Sequence, residues 1–205
     1  MLGSKRVMQA LAALVDEVNL KKTIGFISVI AMIIGILAGV SQLFPALGTH
    51  SAFYGIWASN YSYPVPNGKV EVDSTTEYFK NGSYNYLGQV SIIESTNKGD
   101  NIFVYEVNAT GDWNNDSKNL YIKLQDIKSQ IKRIKINSEE VDVIALKEVM
   151  VLPKIEDVLS KGTNEQYEIL SYSNDEILLK VDDPFGDFFN FVMKKTTKRF
   201  QFKRS

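Results

Sequence analysis

Residues 70–93, VEVDSTTEYFKNGSYNYLGQVSII, decide the fold class. Val70, Val72, Ser74, Thr76 and Tyr78 alternate with Glu71, Asp73, Thr75 and Glu77, the period of two that marks a strand with one buried face. Lys80-Asn81-Gly82 follows as turn chemistry, because Asn and Gly tolerate the positive φ that a tight hairpin needs. Residues 83–93 then return as the partner strand, so the unit is an antiparallel hairpin.

The flanks repeat the theme. Gly55-Ile-Trp57 opens a first strand that continues through Tyr61 to Tyr63, and Pro64-Val-Pro-Asn67-Gly68 reads as its turn. Residues 94–100 are polar loop and residues 102–110 a fourth strand. Gly111-Asp112-Trp113 gives a second Gly-x-Trp ahead of a loop at 114–118, and Leu120, Ile122 and Leu124 mark a fifth strand. Apolar runs at 167–172, 176–181 and 188–193 bring the set to about eight. Short strands joined by hairpins predict a mainly β domain over residues 55–205, an up-and-down β-barrel whose closure leaves no open edge. Residues near 126–163 begin basic, turn acidic and stop at Pro153, and are expected to form an insertion at one mouth, as a lid or a docking element.

A different kind of sequence precedes the β pattern. Residues 23–44, TIGFISVIAMIIGILAGVSQLF, carry no charge and would extend about 33 Å as a helix, against about 30 Å of bilayer hydrocarbon. The expectation is a single transmembrane helix at 23–44, behind an amphipathic lead at 1–22 and ahead of a linker at 45–54. Lys5, Arg6, Lys21 and Lys22 precede the span, and the next Lys or Arg is Lys69. That asymmetry places the N-terminus in the cytoplasm and the β-domain outside the inner (cell) membrane. Gly35 and Gly39 form a GxxxG face suited to helix packing, against a membrane-protein partner or another copy of the chain.

Composition narrows the chemistry. The net charge of −1 gives no pull toward duplex nucleic acid, and the absence of cysteine removes thiolate nucleophiles and thiolate metal sites. The one histidine, His50, falls in the linker, and no glycine-rich phosphate loop follows a strand and opens a helix. Asp112 and Asp182-Asp183 sit beside turn residues and read as solvated loop acids. No catalytic residue, metal or cofactor is expected, and the chain is not read as an enzyme. Aromatic strand residues, Tyr78, Tyr84, Tyr86, Phe103, Tyr105 and Phe189, are the candidate ligand-binding set; they could equally fill the interior. The basic run from Lys194 to Arg204 reads as a solvated strand end or a contact for anionic membrane lipid.

Gly55-Ile-Trp57 followed by a Trp-bearing meander resembles the lipocalin-type barrels, in which a first-strand Gly-x-Trp closes one end. Gly55, Trp57, Asn81, Gly82, Gly111 and Trp113 are the residues this likeness makes structural. The run Val72-Asp73-Ser74-Thr75, the segment from Tyr78 to Tyr84, Gln89-Val90-Ser91-Ile92, Asn119-Leu120-Tyr121-Ile122, Ile177-Leu178-Leu179 and Asn190-Phe191-Val192 resemble the ToxS-like proteins. Those are single-pass, membrane-anchored companions of the ToxR regulator in vibrios. The resemblance implies a lipocalin-like barrel that binds a small apolar molecule such as a bile salt, stabilises a membrane partner and so alters signalling. Two other layouts fit the same architecture. One is an anti-phage membrane effector, whose cytosolic barrel binds a cyclic nucleotide and clusters the membrane helix. The other is a structural subunit of a membrane complex.

Overall fold

Among the described residues nine strands form in sequence order: β1 (Gly55–Val65), β2 (Gly68–Tyr78), β3 (Ser83–Thr96), β4 (Gly99–Asn115), β5 (Asn119–Ile136), β6 (Glu139–Val141), β7 (Asn164–Tyr172), β8 (Glu176–Asp182) and β9 (Phe188–Thr196). The computed structural model describes residues 51–202 apart from 158, 160 and 183–187. The lead at 1–22, the span expected at 23–44 and its Gly35 and Gly39 lie outside the described residues. Among the described residues, no helix is long and apolar enough to cross a membrane.

All ladders are antiparallel, in the order β4-β3-β2-β1-β9-β8-β7-β5-β6, and β4 also pairs with β5. The pairings therefore run in a ring through eight strands, with β6 attached outside it on β5. The ring is mainly β and nearly closed, as the alternating sequence leads one to expect. Its seams are uneven. β1 meets β9 only from Ile56–Thr196 to Ser59–Met193, and β5 meets β7 only from Asn119–Glu168 to Lys123–Asn164. Beyond those points β1 and β5 run on without these neighbours. Pro64, expected in the turn, lies in that free half of β1, the edge placement to which a strand proline is confined. The turn itself is Pro66-Asn67, with Asn67 at φ 67° between the paired Val65 and Gly68.

Local chemistry fixes the other joints. Between β2 and β3 it is Gly82 that takes positive φ, at 82°, while the Asn81 Oδ1 accepts from the Ser83 N–H at 3.1 Å and the Ser83 hydroxyl at 2.7 Å. β4 runs on to Asn115, so Trp113 is a strand residue rather than the prelude to a loop. Gly111 marks a register shift between β4 and β5, and a Cβ there would sit 2.0 Å from the Lys123 carbonyl oxygen. Only glycine allows that approach.

The segment expected as an insertion near 126–163 divides in two. Residues 126–136 continue β5, burying Ile127, Ile131 and Ile134 while Lys132 pairs with Glu106 at 2.8 Å. Only the rest leaves the ring, as β6, a short helix α1 (Val143–Val149) and a 3₁₀ turn at Ile155–Asp157. Asp142 caps α1 by accepting from the Ile144 and Ala145 N–H groups.

Two buried clusters occupy the two ends. At one, Phe53, Trp57, Tyr78, Trp113 and Leu120 pack with Ile177 and Leu179. The Trp57 indole donates to the Phe53 carbonyl at 2.7 Å, and the Trp113 indole to the Phe79 carbonyl at 3.0 Å. Phe53, expected in a linker at 45–54, is thus part of the core. Lys195 lies over the Trp57 ring at 4.3 Å and donates to the Tyr54 carbonyl, so this member of the basic tail helps close the end. The tail then turns back over β2, where Arg199 pairs with Glu77 at 2.7 Å and the Phe200 N–H donates to Thr75 at 2.9 Å. The other cluster joins Val70, Ile92, Phe103, Tyr105, Ile134 and Leu152.

Candidate functional site: the interior cavity

Between the two clusters the ring keeps a cavity of about 270 Å³. The inward positions of β1 and β2 there carry Ser59, Ser74 and Thr76 between larger residues. Small side chains at mid-height leave space that the rings above and below do not fill.

Aromatic side chains from several strands converge on this space. Of the expected ligand-binding set, Tyr78, Tyr84, Tyr86 and Phe189 line the cavity. Phe103 and Tyr105 do not: both are buried in the far cluster, further along β4. The expected structural residues Trp57 and Trp113 sit in the closed end with Gly55, Gly82 and Gly111 at the strand ends and joints around it. Tyr61, Tyr63, Tyr167 and Met193, which were not among the candidates, also line the cavity, as does Phe191. Their geometry shows how the seam is filled. Tyr63 stacks on Phe189 at 4.8 Å and 11°, Tyr61 lies 4.6 Å from Phe191, and Tyr167 meets Phe191 edge-on at 5.8 Å. These rings occupy the place where β1 and β9 cease to pair, so packing replaces backbone hydrogen bonds there.

Two acids line this aromatic interior, Glu165 and the exposed Asp182. Glu165, on β7, pairs across from Ile122 and shares its face with Tyr167 and Ile169. The Tyr167 hydroxyl donates to its Oε2. Protein encloses the carboxyl, and the surface it retains borders the cavity, so burial raises its pKa above the usual glutamate range against the lowering effect of Tyr167. The phenols respond in kind. Burial, then the nearby Glu165 charge, pushes Tyr167 far up; burial, helped chiefly by neighbouring phenols, does so for Tyr61; and Tyr86 is pushed up to about 12, mainly by burial. The tyrosines are therefore neutral hydrogen-bond donors across the whole physiological range. The sequence did hold a signal for Glu165: extending the period of Tyr167 and Ile169 two residues backward reaches it.

The 137–163 segment walls one side. Ile155 and Leu159 line the cavity, and Glu156 accepts from the Ser129 N–H at 2.8 Å and from its hydroxyl, which itself accepts from the Ile155 N–H at 2.8 Å. Further on, the Leu124 and Gly162 N–H groups bond the Thr163 and Leu124 carbonyls. Ile144, Val149 and Val151 of this segment stay exposed, Val151 at 91%. Among the described residues, no group of His, Cys, Asp and Glu could hold a metal ion. The arrangement suits enclosure of a small molecule against rings and hydroxyls, with the Glu165 carboxyl to orient it. No protein-family model matches the chain, and no curated protein matches it.

Proposed function

We propose that this chain is a membrane-anchored, lipocalin-like β-barrel of the ToxS-like kind, non-enzymatic, which senses a small ligand in its interior and conveys occupancy to a membrane partner. In this reading residues 23–44 span the inner membrane once, the N-terminus is cytoplasmic and the β-domain samples the other side. The observation that carries it is the 270 Å³ cavity, walled by aromatic side chains and closed at one end by Trp57. Ser59, Ser74 and Thr76 keep this space open at positions where larger apolar side chains would fill it. The exposed Ile144, Val149 and Val151 favour a docking role for the 137–163 segment alongside ligand binding. The cyclic-nucleotide reading gains no support from the interior, because among the described lining residues there is no Lys, Arg or His to meet a phosphate.

Ala109 lines the cavity from β4 and is buried, so Ala109→Phe places a ring inside it. Binding of naphthalene to the full chain, followed by calorimetry, is expected for the parent and lost in Ala109→Phe. Equal binding to both proteins would refute an interior site. A C-terminal alkaline phosphatase fusion is expected to be active; an inactive fusion, with an active cytosolic reporter at the same position, would refute the orientation.

A further inference from the structure

We propose that the interior selects a small organic cation, an aromatic or apolar amine whose ammonium group pairs with Glu165 inside the tyrosine-lined cavity. The inference rests on the ligand-binding reading above and deepens it by giving the ligand a charge. Four observations lead to it. The charged side chains lining the cavity among the described residues are Glu165 and Asp182, both acids, and no Lys, Arg or His faces them. Glu165 takes one hydrogen bond, from Tyr167, which leaves its other oxygen free to accept from a ligand. Around it, Tyr61, Tyr78, Tyr84, Tyr86 and Phe191 present ring faces and edges to the same space, and the negative face of an aromatic ring attracts an ammonium group. A cavity of about 150 Å³ accepts benzene; one of about 270 Å³ therefore has room for a ring with a short aminoalkyl arm.

The same features reject anions. A carboxylate or sulfonate brought inside would meet no Lys, Arg or His among the described lining residues to offset its charge, and a buried unpaired charge is among the costliest arrangements a protein can make. A bile-salt anion is thus a poor occupant unless its charged group stays outside. A protonated amine reverses the balance: it gives the Glu165 carboxylate the partner that the protein itself omits, through charge-assisted hydrogen bonds about twice as strong as neutral ones.

The test uses the full 205-residue chain in lipid nanodiscs and titrates three probes of one size: 2-phenylethylamine, 2-phenylethanol and phenylacetate. Isothermal calorimetry is expected to show the amine binding at least tenfold tighter than the alcohol, with phenylacetate weakest. In Glu165→Gln, which keeps shape and hydrogen bonding, the amine is expected to fall to the affinity of the alcohol while the alcohol is unchanged. Tyr167→Phe, which keeps the carboxyl, is expected to retain the amine preference; if Glu165→Gln fails to fold, this variant and the parent ratio still decide. Amine and alcohol binding equally to the parent would overturn the charge preference and leave the ligand-binding reading standing. If none of the three probes binds, and naphthalene does not bind either, the cavity reading fails and this inference with it.

Discussion

Phe53→Ala tests whether the residue just before β1 belongs to the folded domain. Phe53 is 1% exposed, and its ring lies 6.1 Å from Tyr78 and 6.0 Å from Trp113. Its truncation removes a fully buried ring at the closed end, where Trp57, Leu120 and Ile177 are equally buried and cannot readily collapse into the space. Buried Phe→Ala changes cost about 3–5 kcal/mol. In a domain of roughly 150 residues, each kcal/mol moves Tm by about 2–4 °C, so a fall of roughly 6–20 °C is expected. Intrinsic fluorescence is well placed to follow it, because the chain has 2 tryptophans and both, Trp57 and Trp113, belong to this cluster. Their emission is expected to shift to the red as water reaches the indoles. Ile144→Ala, at a side chain 74% exposed, serves as the control and should stay within about 0.5 kcal/mol of the parent. A Phe53→Ala protein with unchanged Tm and unchanged emission would refute the packing argument for Phe53.

Three further outcomes follow from the same geometry. Glu165 holds its proton to higher pH in the folded state than in the unfolded chain, so the folded state binds more protons in the window between the two pKa values. Parent stability should then fall as pH rises through that window, while Glu165→Gln should lack this slope and gain relative stability toward neutral pH; parallel pH profiles of Tm would contradict it. Gly111→Ala places a methyl 2.0 Å from the Lys123 carbonyl, so denaturant titration should show a loss of at least about 1–3 kcal/mol, and a neutral result would mean that β4 and β5 are not this close. Glu156→Ala removes the acceptor that ties the 3₁₀ turn to Ser129, and faster amide exchange across 143–157 is expected without change in β1 to β3; unaltered exchange would show that other contacts hold the wall.

Much of the β pattern was legible residue by residue. The inward set Val70, Val72, Ser74, Thr76 and Tyr78 follows from alternation, because successive side chains on a strand must point to opposite faces. All but Thr76 are buried, and Thr76 lines the cavity. Thr75 shows the limit of that rule. It faces outward yet is 7% exposed, since the C-terminal tail returns over β2 and Phe200 bonds its hydroxyl. The basic tail read as solvated or lipid-facing, but Lys195 and Arg199 are engaged by Trp57, Tyr54 and Glu77, contacts between residues far apart in the chain. The split of the 126–163 segment was hidden for a related reason. The β4–β5 register shifts between Val104 and Tyr105 and between Thr110 and Gly111, so the opposing strand departs from a clean period of two, as the buried Leu124, Ile127, Ile131 and Ile134 show.

Eight of the strands and most of the joints are legible in the sequence, because they depend on local periodicity and turn chemistry, whereas the closing role of Trp57 is only what the lipocalin-type resemblance implies. The tertiary structure alone decided which aromatic residues share the cavity. Alternation says that Tyr78, Tyr86, Phe103 and Tyr105 face inward; it does not say at what height along the ring they stand. Height is set by ladder register and by the short β1–β9 and β5–β7 seams, pairings between distant segments that no local pattern encodes. Those seams bring Glu165 and Tyr167 of β7 into one space with Tyr61 of β1 and Tyr86 of β3, while the β3–β4 ladder, which sets Phe103 against Ile92, holds Phe103 and Tyr105 in the far cluster.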